Sequence, residues 1–407
     1  MFIIRTIPRR RAYFAQGMFA VLRETLKVKP SETKSLVRAL ESNLASILKI
    51  PNPVAVASGK LGLRLILETS GLSQGTEVLL PGYTFGPLYP VIRAAGFVPV
   101  PVDINPDTFQ MEPSEAQKAI NTRTGAVVAT HLFGEPCDVD GFFEMTRKYG
   151  LLMIEDCAQA LGARIGDRMV GTIGDAGFAS FDISKPLQGV RGGVAFSRNK
   201  VWMDRIRERV KSYGIQHKIP FREITGGYLT DFLVGSPLWR VFMVLFSFKT
   251  TQKLIVMLYR RDKKQRTLPG SSVEMQNAEL PDALAYIIRL NLQTFEQRLE
   301  RRRAIRALYR ELLDEVFLFQ KLNPDADGTV YMVVARARCD VYRLRRYLTL
   351  RGVDVALGAE IADDCLNHAD SAVGAVFREA VALPVYEELK DSDVHYIAGV
   401  IREFFKP

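Results

Sequence analysis

Apolar positions along this chain follow two rhythms. Between residues 32 and 49 they recur at helical spacing: Leu36, Leu40, Leu44, Ile47 and Leu48 share one face, and Ser31 stands where an N-cap belongs. Ala55 to Ala57 reads as a short buried strand, followed by a helix over 60–69 with Leu61, Leu65 and Ile66 facing inward. Four more short apolar runs, 77–80, 98–102, 126–129 and 151–154, have the length of buried strands. Helices near 86–95, 113–120 and 138–148 fall between them. Strands alternating with helices predict an α/β fold, with a mostly parallel mixed sheet covered by helices. Ligands of such sheets gather beyond the carboxyl ends of the strands. Ser58, Tyr83, His131 and Asp156 each follow an apolar run, so they are expected to converge at one edge.

Farther on, a strand at 194–196 leads into a basic helix over 198–212. Residues 281–315 read as one long helix opened by Pro281, which a first helical turn tolerates. A strand after about 325, a helix over 340–351 and another over 391–405 suggest a smaller α+β domain. The expected division is a basic N-terminal segment at 1–30, a large domain at 31–280 and a small C-terminal domain at 281–407. Residues 222–270 depart from the pattern. A Phe-rich apolar run at 238–248 precedes Lys249, Lys253, Arg260, Arg261, Lys263, Lys264 and Arg266. That pairing suits a packed lid or dimer contact, or else a basic amphipathic pair of helices at 236–266 that touches a membrane surface.

Composition narrows the class. The 407 residues are 47% hydrophobic and 25% charged, as in soluble globular proteins. Four scattered cysteines (137, 157, 339 and 365) and only four histidines offer no ligand spacing, so no metal site is expected. A reducing, cytoplasmic setting follows, with a possible peripheral place at the inner face of the membrane. Arg5, Arg9, Arg10 and Arg11 precede an apolar stretch in the manner of a signal peptide. Gln16 and Gly17 interrupt that stretch and Arg23-Glu24 end it, so secretion is not expected. The net charge of +10 favours anionic substrates. It comes with no nucleic-acid-binding motif, so no nucleic-acid partner is expected.

Three segments carry chemistry when taken together. Lys185, in Ser180-Phe181-Asp182-Ile183-Ser184-Lys185, offers an amine that can form a Schiff base. Asp156, at the end of an apolar strand, can hold a protonated pyridine nitrogen, and Gln159 three residues on can reach a ring hydroxyl. Ser58-Gly59-Lys60 opens a helix after a strand, where free backbone N–H groups favour a phosphate. Ser180 can add a hydroxyl to that phosphate, and Phe85 can stack on a flat ring. Amine, carboxylate and phosphate turn are what pyridoxal 5'-phosphate asks of a protein. Each segment alone has a plainer reading: a surface lysine, a helix cap, an ordinary Ser-Gly helix start, a core aromatic.

The segments VASGKLGLRLIL, GTEVLLPGYTFG, PVPVDINPDTFQM, HLFGEPCDVD, IEDCAQALGA, VGTIGDAGFASFDISK and GGVAFS, with LPVYEELKDSDVHYI near the end, resemble the DegT/DnrJ/EryC1/StrS sugar aminotransferases. The resemblance runs over about 32–215 and again from about 274. It implies the aspartate aminotransferase fold, a PLP-dependent transferase of type I. Lys185 would be the Schiff-base lysine, Asp156 the pyridinium partner and Gln159 the partner of the ring hydroxyl. Phe85 would be the stacking aromatic; Ser180 and the backbone at Gly59 and Lys60 would form the phosphate site. Asn277 best matches the asparagine that the family sends to the phosphate of a neighbouring subunit, which implies a homodimer with shared active sites. The implied reaction moves an amino group from an amino-acid donor, such as glutamate, to a nucleotide-linked keto sugar. Alternatives are a PLP-dependent sugar dehydratase or lyase and a catalytically retired scaffold. The chain departs from the family at Lys60, where threonine is usual, at Ala278-Glu279-Leu280 and at Leu357-Gly358-Ala359-Glu360-Ile361.

Overall fold

A computed structural model describes residues 6–12, 33–214, 221–234, 236, 239, 241 and 277–406. Ser31 and Arg5 lie outside these residues, and so does the 236–266 segment apart from Ser236, Trp239 and Val241. The expected membrane contact of that segment, like its reading as a lid or dimer contact, falls on residues outside those described. Among the described residues no helix is long and apolar enough to cross a membrane.

A seven-stranded sheet forms the centre. Its strands are β1 (Val54–Val56), β2 (Glu77–Pro81), β3 (Val98–Val102), β4 (Thr124–Thr130), β5 (Leu152–Asp156), β6 (Ala176–Ser180) and β7 (Gly193–Phe196). Their spatial order is β1-β7-β6-β5-β4-β2-β3. The five strands from β6 to β3 run parallel, and β7 is antiparallel to both of its neighbours. Alternation along the strands splits the core between the two faces. Val127 and Met153 pack on one side with Leu40, Phe142 and Ile288; Val128 and Ile154 pack on the other with Leu61, Leu65 and Ile206.

β3 departs from the expectation of a buried strand. It lies at the sheet edge, and Val98 is exposed. The Val98 N–H donates to Thr76 and the Val102 carbonyl accepts from Gly82, so the Val positions face β2. Pro99 and Pro101, which have no N–H to offer, fall on the open side, where an edge strand can accommodate them. Ile47, placed on the apolar face of the first helix (α1, Thr33–Ile47), is 49% exposed; Leu40, Leu44 and Leu48 are buried and Leu36 packs partly buried beside them.

The expected long helix over 281–315 is two helices, Asp282–Leu292 and Phe295–Leu313. The apolar period continues across the junction, but its target changes. Leu284, Ile287 and Ile288 pack in the first core, whereas Ile305, Tyr309 and Leu313 pack in a separate one. Phe295 and Leu299, after the break at Gln293-Thr294, still pack in the first core, so the chain passes from one core to the other within the Phe295–Leu313 helix. The second core covers a four-stranded antiparallel sheet, in the order 317–319, 333–337, 380–383, 356–357. Helices Val341–Leu350 and Asp391–Phe405 contribute to that core.

Glu155 is the buried hub of the large sheet. Its carboxylate accepts N–H bonds from Gly171 at 2.6 Å, Ile173 at 2.8 Å and Gly174 at 2.6 Å. His131 Nε2 lies 3.2 Å from it, while His131 Nδ1 accepts the Cys137 N–H at 3.2 Å. The ring proton therefore sits on Nε2, facing Glu155. Glu155→Ala would leave these buried donors without an acceptor. A loss of at least about 3 kcal/mol in unfolding free energy is expected, read as a lower denaturant midpoint at unchanged slope. A loss below about 1 kcal/mol would mean that water replaces the carboxylate.

Candidate active site

The site gathers at the carboxyl edge of the parallel strands. Asp156 closes β5 opposite Thr130, the last residue of β4. The Asp156 side chain is only 5% exposed. Its Oδ1 accepts the Ala158 N–H at 2.9 Å, a short turn of the kind a capping reading expects. Oδ2 makes no hydrogen bond among the described residues and remains an open acceptor. Burial pushes this carboxyl above its ordinary value, against the opposing pull of the Ala158 N–H, Lys185 and His131. Thr130 Oγ1 beside it is buried without a partner, as is Thr84 Oγ1 near the end of β2.

Gln159 is oriented by its neighbours. Its Oε1 accepts the Phe133 N–H at 2.7 Å, and its backbone carbonyl accepts the Thr329 hydroxyl at 2.7 Å. Phe133 takes the left-handed backbone (φ 61°) that aims this N–H. With Oε1 bound, the Gln159 amide N–H₂ is the end left to donate.

Lys185 sits on a loop that closes on itself. The Ile183 N–H donates to Val190, Gly189 to Phe181, and Phe181 to Gly192. The Asp182 carboxylate accepts the Ser184 N–H at 3.0 Å and its hydroxyl at 2.8 Å, and the Lys185 N–H returns to the Asp182 carbonyl at 2.9 Å. Lys185 Nζ lies 4.7 Å from the centre of the Tyr331 ring. The Tyr331 hydroxyl is 3.4 Å from Ser184 Oγ. Burial alone would raise this phenol, but Lys185, the Ser184 hydrogen bond and Arg10 hold it below its ordinary value. Sequence reading missed Tyr331. It stands ahead of an apolar strand in the small domain, and nothing in its local pattern separates it from a core aromatic.

Ser58 caps helix α2 (Gly59–Glu68), its Oγ accepting the Leu61 N–H at 3.2 Å. The Gly59 and Lys60 N–H groups belong to the first turn and have no acceptor within the helix. A side chain at Gly59 would place its Cβ 3.0 Å from Ser180 Cβ and 3.1 Å from the Ala179 carbonyl, so the lack of one lets the helix start abut the end of β6. Burial pulls the Lys60 ammonium down, with Asp182 opposing. Phe85 is 48% exposed just beyond the strand end, leaving its ring open to a partner. Asn277 is exposed and accepts from Arg64 of α2 at 3.4 Å; within this chain it rests on the outer side of that helix.

These residues suit the cofactor they were expected to hold. An open carboxylate oxygen, an oriented amide donor and a first-turn backbone beside Ser180 match a pyridinium, a ring hydroxyl and a phosphate. The unpartnered hydroxyls of Thr84 and Thr130 mark the same edge as one that wants a polar occupant.

Comparisons with known proteins agree on the fold. A DegT/DnrJ/EryC1/StrS aminotransferase from Brucella abortus superposes with a TM-score of 0.74 at 20% identity, covering 96% of this chain and 95% of that one. A UDP-N-acetyl-3-dehydro-alpha-D-glucosamine 3-aminotransferase from Acidithiobacillus ferrooxidans is 39% identical over 150 residues, 37% of this chain and 41% of that protein. Curated relatives above 30% identity are matched over less than half their length. A pleiotropic regulatory protein from Geobacillus stearothermophilus is 24% identical over 390 residues, 91% of this chain and 89% of that one. The family model matches residues 15–230, which include every expected cofactor residue except Asn277, and the chain belongs to the DegT/DnrJ/EryC1/StrS aminotransferase family.

Proposed function

We propose that the chain is a pyridoxal-phosphate-dependent aminotransferase that carries an amino group from an amino acid such as glutamate to the ketone of a nucleotide-linked sugar. The observation that carries this reading is Asp156: a buried carboxylate with one open oxygen, at the carboxyl edge of a parallel sheet and within electrostatic reach of the Lys185 amine. The related aminotransferase named for a UDP-linked dehydro sugar supports the substrate class, and the net charge of +10 suits a diphosphate.

When bound, pyridoxal phosphate supplies an electron sink for a carbanion. Asp156 Oδ2 would hold the proton on the ring nitrogen that makes the sink effective. Gln159 would donate its amide N–H to the ring hydroxyl. The backbone N–H groups of Gly59 and Lys60, with the Ser58 and Ser180 hydroxyls, would bind the phosphate, and the Lys60 ammonium would add a point charge. Phe85 would cover one ring face. Lys185 Nζ would hold the cofactor's aldehyde carbon, bound there with loss of water, until the donor's amine displaces it. The freed amine would then take the proton from the donor's α-carbon and, in the second half of the reaction, deliver one to the sugar carbon. Tyr331, against the Lys185 ammonium, would hold the amine in place. Asn277 would reach the phosphate of a second protomer in a homodimer.

The Asp156 environment sets a pH dependence. Its carboxyl lies above the ordinary value of 3.8 in the fold, so the fold holds this proton more tightly than the unfolded chain does. The stability gained is complete below the ordinary value and is lost as pH rises through the raised one. At neutral pH, without cofactor, the ionised carboxylate costs stability. Asp156→Asn is therefore expected to raise the thermal midpoint of the cofactor-free protein at pH 7 and not at pH 3. In the loaded protein it should slow turnover on the order of a hundredfold. A lower midpoint together with normal turnover would remove Asp156 from the ring nitrogen.

Lys185 is tested by absorption. The purified chain mixed with pyridoxal phosphate should develop a visible band that glutamate converts, and Lys185→Ala should show neither band nor turnover. Turnover surviving in that variant would refute the assignment.

A further inference from the structure

Residues 6–12, part of the expected basic N-terminal segment, are built into the fold. The Ile7 N–H donates to Gly352 at 2.8 Å, its carbonyl accepts from Asp354 at 2.9 Å, and the Arg9 carbonyl accepts from Val385 at 3.4 Å. Arg9 forks onto Asp354 at 2.9 and 2.8 Å and reaches Glu360 at 3.2 Å. Arg11 pairs with Asp231 at 2.9 Å, and the same carboxylate accepts the Ala12 N–H at 2.8 Å. Arg10 lies between these anchors, exposed, and makes no ion pair among the described residues.

Arg10 borders two adjoining cavities. One, of about 110 Å³, is lined also by Ser184, Tyr331, Arg302 and Glu360; the other, of about 400 Å³, by Ser184, Ile183 and Asp231. Ser184 is common to both and directly precedes Lys185. The charges around these cavities are otherwise matched. Glu360 is shared by Arg9 and Arg345, Asp354 is held by Arg9, Asp231 by Arg11, and Arg302 by Glu387 at 2.9 Å. Among the described residues that line these cavities, Arg10 is the cation left without an ion pair; it lines the smaller cavity with Tyr331, whose ring the Lys185 ammonium faces. Two like charges converging on one phenol beside an open cavity favour an anion between them.

We propose that Arg10 is a binding residue for an anionic group of the substrate, held at the Lys185 cleft by the ion pairs of Arg9 and Arg11. The chemistry is that of a carboxylate or a phosphate, either of which a guanidinium can grip with two N–H groups. Which molecule brings the anion rests on the amino-transfer reading: the donor's carboxylate or the diphosphate of the sugar acceptor.

The test is calorimetric titration of the full chain, with and without pyridoxal phosphate, using glutarate for the donor and uridine diphosphate for the acceptor. Wild type is compared with Arg10→Ala and Arg10→Lys. Arg10 is exposed and unpaired, so equal thermal midpoints are expected. Arg10→Ala should weaken at least one probe about tenfold or more, and Arg10→Lys should recover part of the loss as a point charge. Loss for glutarate alone identifies the donor carboxylate, loss for uridine diphosphate alone the acceptor, and loss for both one seat used in turn. Unchanged affinity for both probes, or no binding of either to wild type, overturns the proposal. A wild-type chain that shows no visible band with pyridoxal phosphate would sink the amino-transfer reading instead, and probe binding to the cofactor-free chain would still report on Arg10.

Discussion

The site depends on the way Glu155 is held. Glu155 and Asp156 are neighbours on one strand, and alternation sends their side chains to opposite faces. The first is surrounded by donors: three backbone N–H groups from the 171–174 loop and the imidazole of His131. The second has one N–H on one oxygen and, among the described residues, nothing on the other. The link continues beyond the pair. His131, fixed by Glu155, accepts the Cys137 N–H across the turn that contains Phe133, and the Phe133 N–H orients Gln159. One buried carboxylate thus sets the register of the strand that presents Asp156 and, through His131, the turn that aims the Gln159 amide. Such satisfied buried networks specify a single arrangement, because each partial alternative strands a donor in a medium of low dielectric.

What was legible in the sequence was local and chemically unusual. Short apolar runs between helical stretches announced a parallel sheet, and Asp156, Gln159, Ser58 and Lys185 stood at strand ends where such a sheet collects its ligand. The misreadings came from decisions made elsewhere in the fold. Alternating Val and Pro in β3 look buried to a composition argument, yet two residues without N–H belong at an edge. The period over 281–315 is unbroken, but its residues through Leu299 pack in one core and Ile305, Tyr309 and Leu313 in another, and periodicity does not name its target. Leu357 to Ile361 stood out only as a departure from the family. Glu360, within it, binds Arg9 and Arg345, so that stretch serves the N-terminal strap. Tyr331 and Arg10 reach the cleft from 146 residues after and 175 residues before Lys185, distances over which a local pattern says nothing.

The strap also shows how a strongly basic chain places its charge. A formal +10 spread evenly would give a weak, salt-screened field. Here many of the arginines near the cleft are paired with specific carboxylates, and Arg298 and Arg302 share Glu387. Glu387 is held below the ordinary carboxylate range by those two guanidinium groups, against the upward push of burial. Matching of this kind contributes little net stability, since desolvation offsets much of the attraction. Its effect is geometric: it fixes where the remaining, unmatched cations lie. With Arg9 and Arg11 tied to Asp354 and Asp231, the backbone between them has little freedom, and Arg10 is placed at the cavities that Ser184 borders, the smaller of them lined also by Tyr331. A cation confined in this way selects its ligand by position as well as by sign, whereas a free basic tail selects by sign alone.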